Sequence, residues 1–402
     1  MRIKISPFIL LCIMGGLAIF SSTMAKNPVL PLFIRALDVP IGTVGFIAAA
    51  STLVGIFVSL PAGILSDIIG RRRVILIAAI VFASAPFLYL LVDQPWQLVM
   101  VRVYHGFATA ILGPVAMAAV ADTFDQRRGE RIGWYSSATM VGRFLAPFVG
   151  GALIFGDDFR LVYLVTGVVG TLALIAAVKL PLSTAVTGSA GSLLKQGRSE
   201  IWSSIKTLLT HRGILTTSAI EAVQYFAFGC LEVFLPIYLY EQVGFNTIQI
   251  GSLFTIQIVI ATLTKPLMGR LSDKYGRLPM IIAGLLFGGL SMIFITYSNN
   301  FLLLATLVGV FGLGLATVTT STAALVADLS KSSSHGGAFG VLSSVMDIGH
   351  STGPIVGGLL ISLLNYRTAF GIIGVILVIT GSIFSLIMRR LLKSNPVDGL
   401  TN

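Results

Sequence analysis

Seven charged side chains and two histidines fall inside long apolar runs of this 402-residue sequence: Lys26, Arg102, Arg143, Glu221, Glu232, Lys265 and Asp347, with His105 and His350. A charge within a bilayer costs about 2.5–3.5 kcal/mol on insertion scales, so residues of this kind normally face a polar cavity and serve a function. A buried carboxylate is costly when ionised and is neutralised by a proton, and an imidazole titrates near neutral pH. The chemistry these types offer is proton carriage beside a polar ligand. Lys265 lies near the end of its run, where its long stem can carry the ammonium out to water, and it is set aside.

Their spacing groups them. Glu221, Gln224, Tyr225, Phe228 and Glu232 fall at i, i+3, i+4, i+7 and i+11, one polar and aromatic face of a helix. Asp347 and His350 are three apart and share a face, a reasonable proton carrier, with Glu221 as second choice. Lys26 and Glu232 differ by 232 − 26 = 206. The two halves of the chain repeat at that offset, which makes them equivalent positions and suggests an ion pair acting as a gate or substrate clamp. Arg143 follows Gly142, and His350 occupies the equivalent place after Gly349. Arg143 either touches substrate or holds its helix to the first one. Phe226, Tyr238 and Gln257 add aromatic and hydrogen-bonding surface.

The elements that must position these groups are membrane helices. Hydrophobic residues make up 55% of the chain and charged residues 11%, against about 25% charge in a soluble domain. Mean hydropathy is +0.93. About twelve runs of some 20 residues, the length a bilayer core requires, lie near 8–34, 42–65, 74–92, 97–120, 133–155 and 160–180, then 214–239, 248–269, 279–298, 301–327, 338–363 and 368–388. They are too long and too continuous for the strands of a barrel.

The two sets of six are repeats. GILSDIIGRRR at 63–73 returns as GRLSDKYGR at 269–277, an offset of 269 − 63 = 206. Val120, Ala121 and Asp122 return as Val326, Ala327 and Asp328, offset 328 − 122 = 206. Gly133, Gly142, Pro147, Gly150 and Gly151 return as Gly340, Gly349, Pro354, Gly357 and Gly358, offset 340 − 133 = 207. Repeats meeting at a central site are a recurring transporter architecture. The expected domains are a six-helix bundle over 1–182, a linker over 183–212 and a second bundle over 213–402. The linker is Ser/Gly/Thr-rich at first. Then Ile201, Trp202, Ile205, Leu208 and Leu209 suggest a short amphipathic helix or a plain tether.

Basic residues set the orientation. Arg2, Lys4, Arg71, Arg72, Arg73, Arg127, Arg128, Arg131, Lys195, Arg198, Arg270, Lys274, Arg277, Arg389 and Arg390 fall on one side, and the other side has mainly Arg35, Arg160 and Arg367. Both termini are expected in the cytoplasm. The net charge of +11 is this bias and not a nucleic-acid footprint. The first apolar run continues through Pro28 and Pro31, long for a signal peptide, and is expected to be retained. Cys12 and Cys230 form neither a metal nor a disulfide framework.

Four motifs resemble those of the major facilitator superfamily, and the resemblance covers essentially the whole chain. Gly63-x-Leu65-Ser66-Asp67-x-x-Gly70-Arg71-Arg72-Arg73 resembles that family's second-to-third loop signature. The resemblance implies that Asp67 pairs with Arg71 and, through it, with Asp122, in a charge cluster that locks the two halves in one state. Asp273, Arg277 and Asp328 are the second copy. Leu98-x-x-x-Arg102-x-x-His105-Gly106 resembles the fourth-helix signature, with His105 where Gln is usual. There the resemblance links Arg102 to proton transfer, and His105 is either a titrating group or a packing histidine. Gly133 to Gly151 resembles the fifth-helix signature of drug/proton antiporters, with Ala146 in place of one glycine; the second copy has Gly353. Pro28-Val29-x-Pro31 resembles that group's first-helix signature.

The expectation is an all-α membrane protein of twelve transmembrane helices in two pseudo-symmetric six-helix bundles. By resemblance it exports a small polar, zwitterionic or anionic compound in exchange for protons. An importer or uniporter on the same fold, and a transport-inactive sensor, are the rivals. No GxxxxGKS loop and no metal-spaced cluster occurs in the sequence, so no cofactor is expected and the chain is not read as an enzyme. The expected partners are substrate, protons and the lipid bilayer, around a monomer.

Overall fold

The computed structural model describes residues 6–123, 128–181, 211–330 and 335–394. The linker expected over 183–212 lies almost wholly outside them, and the amphipathic stretch within it entirely so. The helices are α1 (Pro7–Lys26), α2 (Val29–Ala36), α3 (Ile41–Ile69), α4 (Arg71–Tyr89), α5 (Pro95–Thr123), α6 (Arg128–Ala152) and α7 (Arg160–Val178). They continue with α8 (Arg212–Tyr238), α9 (Thr247–Tyr275), α10 (Arg277–Phe294), α11 (Phe301–Leu329), α12 (His335–Leu363) and α13 (Tyr366–Ser394). With α1 and α2 taken as one interrupted span, each of the twelve apolar runs is a helix.

Among the described residues, ten spans are long and apolar enough to cross a membrane by length and composition alone. The other two are the helices α6 and α12, which occupy equivalent places in the repeat and carry its glycine motif. Their polar and small residues lower hydropathy because they serve helix contact. Elsewhere large apolar side chains face outward: Phe57 is 75% exposed and Leu363 78%. A surface of this kind suits lipid, which hydrates no backbone and rewards an apolar exterior.

Local sequence explains the boundaries. The first span stops at Lys26, and Asn27 is extended (φ −121, ψ 127). Pro28 has no N–H to give the helix and pushes the residue before it out of the α region. The equivalent residue in the second repeat is Phe234, and α8 runs on unbroken. Helices α3 and α4 turn at Gly70 with φ +94, and α9 and α10 turn at Gly276 with φ +93. Only glycine takes that conformation without strain, which is the physical content of the repeated Gly-Arg loop. The repeat extends to Asp38 (φ 56) and Gly244 (φ 80), 244 − 38 = 206 residues apart. After Tyr238 the backbone widens into a π-turn, Leu239–Val243, closed by the Phe245 N–H on the Leu239 carbonyl at 2.9 Å.

The chain divides into two compact units: residues 1–192 with 239–255, and 193–238 with 256–402. The division cuts α9, whose first turns belong to the first unit. In that unit α1 packs on α6 and α7, α4 on α5 and α7, and α3 on α5. Its core includes Leu11, Met14, Ile75, Ala78, Phe82, Val115 and Ala173. In the second unit α8 packs on α12, and α10 on α11 and α13.

Small residues set the closest crossings. A side chain at Gly349, Gly353 or Gly357 of α12 would collide with Ala222, Phe226 or Cys230 of α8, each four residues on. In the first unit Gly142 meets Gly16 and Phe20 of α1, and Gly150 meets Met24 and Val29. Between them Ala146 is fully buried, so the first crossing accommodates a methyl where the second has Gly353. In lipid, helices associate by close packing rather than by apolar burial, and a stripe of small residues at i, i+4, i+8 lets the backbones approach.

Candidate functional site

The α8–α12 crossing joins two residues that the sequence had placed on separate faces. His350 follows Gly349, and its Nε2–H donates to Glu232 Oε2 at 3.0 Å, with side chains 14% and 7% exposed. The Phe228 ring stacks on the imidazole (5.5 Å, 20°), and Tyr225 meets it edge-on (5.9 Å, 72°). A side chain at Gly229 would collide with the His350 carbonyl and crowd its ring, so this glycine admits the pair. Aromatic faces favour a cationic imidazolium. The cluster therefore combines a carboxylate, a titratable ring and a π surface within one unit. Asp347, one helical turn away on α12, is half-buried and has interactions of its own.

Two further polar groups lie on the same helix, toward its start. Glu221 is 5% exposed and accepts a short hydrogen bond from Thr322 of α11. Gln224 is wholly buried, and neither atom of its amide meets a hydrogen-bond partner among the described residues. Gly288 of α10 leaves room for that amide. Gln257 is also buried, with its Nε2 unpartnered among the described residues. Tyr238 faces the protein, its hydroxyl donating to Thr296 O at 3.1 Å. Arg143 lies exposed on α6, and Lys26 is half-buried at the end of α1.

In the first unit Arg102 is 3% exposed and donates through Nη2 to the Ala48 carbonyl at 2.9 Å. His105 is enclosed by rings. Phe82 and Tyr89 are edge-on to it at 5.6 and 6.1 Å, and the Tyr89 hydroxyl lies 3.4 Å from Nδ1. Tyr89 in turn stacks on Tyr163 at 4.5 Å.

The repeated loops share a contact. Arg71 donates to Ser66 Oγ, and Arg277 Nη1 to Ser272 Oγ at 3.4 Å. In the second copy Arg277 also pairs with Asp273 and, at 3.0 Å, with Asp328 Oδ2. The side chains of Gly63's neighbours Ile64 and Asp67, and that of Asp122, lie outside the described residues, as do those of 335–337. Among the described residues no group of three or more His, Cys, Asp or Glu could hold a metal ion.

Sequence reasoning missed Gly229 as a partner of His350. It also read Arg35 only as an outer-loop charge, whereas its Nε donates to Glu241 Oε1 at 2.6 Å. The offset of 206 that flagged Lys26 and Glu232 also relates Arg35 to Glu241.

A twelve-helix all-α membrane architecture built from two repeats is a recurring transporter fold. The family model described as Major Facilitator Superfamily matches residues 11–221 and again 217–399, and the chain belongs to that family. It is a membrane transporter and not an enzyme. Multidrug resistance protein 2 of Bacillus subtilis (strain 168) is 24% identical over 359 residues, 88% of each chain. The multi-drug resistance efflux pump PmrA homolog of Lactococcus lactis is 25% identical over 399 residues, 95% of each. Among solved structures, a bacterial homolog of the human lysosomal transporter Spinster superposes with a TM-score of 0.81 at 16% identity, covering 96% of this chain and 97% of that one. The last likeness concerns the fold alone.

Proposed function

We propose that this transporter exports a small zwitterionic or otherwise polar organic compound from the cytoplasm in exchange for protons, by alternating access in the cell membrane. The observation that carries the reading is the buried His350–Glu232 pair against Phe228 and Tyr225. With His350 protonated the pair is neutral; with the proton gone it carries one negative charge. Obligatory exchange follows if substrate and proton compete for that charge, because Glu232 cannot satisfy two cations at once. A purely anionic substrate would be drawn to the protonated state and so travel with the proton. Within the polar class, a zwitterion whose ammonium takes the place of the imidazolium therefore fits exchange best. Export draws support from the fifth-helix motif and from relatives named as a multidrug resistance protein and a multi-drug resistance efflux pump homolog. Lys26, at the position equivalent to Glu232, is a second charge proposed for gating.

The test starts with a thermal-shift screen of the purified protein against zwitterions, organic anions and lipophilic cations, since a ligand that binds only the folded state raises apparent stability. Hits are then added to proteoliposomes containing a pH-sensitive dye. Exchange predicts that a zwitterion moving one way drives protons the other way, and that the flux vanishes in H350A. Proton movement in the same direction as substrate would establish symport and overturn the reading.

A further inference from the structure

Charge inside the membrane is divided unevenly between the repeats. Away from their ends, the first six apolar runs hold Lys26, Arg102 and Arg143 and no carboxylate, whereas the second six hold Glu221, Glu232 and Asp347 with Lys265. Lys26 is half-buried and Arg143 exposed, so Arg102 is the one cation of the first set that the protein encloses. A guanidinium cannot shed its charge by losing a proton. Among the described residues no carboxylate pairs with it. Its Nη2 donates to the Ala48 carbonyl, while its Nε–H is buried without a partner among them. Two neighbours share that condition. The guanidinium is in side-chain contact with the Tyr89 hydroxyl. A guanidinium only donates, so the hydroxyl turns its lone pairs toward Arg102, and its single proton is left for His105 Nδ1, 3.4 Å away. That places the imidazole hydrogen on Nε2, which is buried and unpartnered among the described residues. Tyr163 of α7 stacks on Tyr89, and its hydroxyl is buried and unpartnered as well. The charge of Arg102 acts on all three rings.

From this arrangement we infer that Arg102 Nε, His105 Nε2 and the Tyr163 hydroxyl form a buried site for a small monovalent anion, chloride foremost, inside the first repeat. Buried donors need an acceptor, and these three need the same one. Water is a poor choice. It brings two hydrogens that find no acceptor here apart from the Tyr163 oxygen, and it leaves the positive charge uncompensated. A buried charge without a counter-charge is the costliest polar group a protein can enclose. A halide brings only lone pairs and a charge of the opposite sign. The enclosure sets the size: Arg102, His105, Tyr89 and Tyr163 are all buried, and Phe82 closes on the imidazole edge-on, which excludes an organic anion. The bound ion joins α5 to α7 across α4, on which both pack. The site lies in a different unit from the His350–Glu232 pair and does not rest on the export reading.

The test uses sodium chloride as the probe and needs no transport substrate. The purified protein is unfolded by heat in one detergent at a fixed sodium concentration, with chloride replacing gluconate stepwise. The midpoint should rise and saturate with chloride, because a ligand of the folded state alone raises apparent stability. Bromide should act likewise. Tyr163→Phe keeps the stacked ring and removes only the hydroxyl, so it should raise the half-saturating chloride concentration about tenfold, the loss of one hydrogen bond to a charge. Arg102→Gln should abolish the saturable rise. If that variant fails to insert, Tyr163→Phe and His105→Phe are read by the same criterion. Crystals grown in bromide should show an anomalous peak within hydrogen-bond reach of Arg102 Nε and the Tyr163 hydroxyl. Midpoints indifferent to the anion would mean that water satisfies these donors and would overturn the site. So would a rise without saturation, or a half-saturation that Tyr163→Phe leaves unchanged.

Discussion

His350 and Glu232 illustrate what one residue type at one place can be asked to do. A charge left alone in a low-dielectric site costs more than a pair removed together. His350→Gln and Glu232→Gln should therefore each lower the unfolding midpoint, and the double variant should lose less than the sum. The expected coupling is about 0.5–3 kcal/mol, measured by thermal unfolding of the four proteins in one detergent. Strict additivity would mean that the two side chains do not interact in solution. Their presence inside the membrane helices was legible, because charge inside an apolar run is conspicuous in any sequence. Their partnership was not. Contact between residues 118 positions apart depends on which helices cross, and intrahelical spacing pointed instead from His350 to Asp347. The Arg35–Glu241 pair lay within reach of the repeat offset, 241 − 35 = 206, but a lone loop arginine and a lone loop glutamate carry no motif that singles them out.

At the scale of elements the glycine stripes decide which helices meet. Gly353 has no room for a methyl, since Phe226's carbonyl occupies the space, whereas Ala146 carries one in the equivalent place. Gly353→Ala should cost about 1–3 kcal/mol, the usual penalty for overpacking. Ala146→Gly should cost only about 0.5–1 kcal/mol, from backbone freedom. Melting in a common detergent ranks the two, and the reverse order would mean that the two crossings differ in some way other than this methyl. The apolar runs marked every helix because a bilayer demands that length, and the repeated glycines marked the crossing helices. The break after Lys26 was less visible: Pro28 lies within one long, mostly apolar stretch, and prolines elsewhere, such as Pro114 in α5, sit inside continuous helices.

On the scale of the whole molecule, duplication lets one copy inform the other. The orientation read from basic residues predicts both termini in the cytoplasm. A green fluorescent protein joined after Asn402 should therefore glow, and an alkaline phosphatase joined there should be inactive; the opposite pattern reverses the topology. The loop clusters make a stronger demand. In the second copy Arg277 bridges Asp273 and Asp328, and Asp273 is 67% exposed. An ion pair so open to water contributes at most about 1 kcal/mol to stability. Asp67 stands at the same place in the first copy, 273 − 67 = 206. If its role were only structural, Asp67→Asn would have little effect on anything. If the cluster instead biases the equilibrium between two conformations, even 1 kcal/mol changes their ratio about fivefold, a large perturbation for a protein that must visit both. Asp67→Asn should then insert and melt like wild type but lose transport, with single cysteines on the two faces changing in opposite directions in their reactivity toward a membrane-impermeant maleimide. Normal transport with unchanged labelling would show that this loop serves orientation alone.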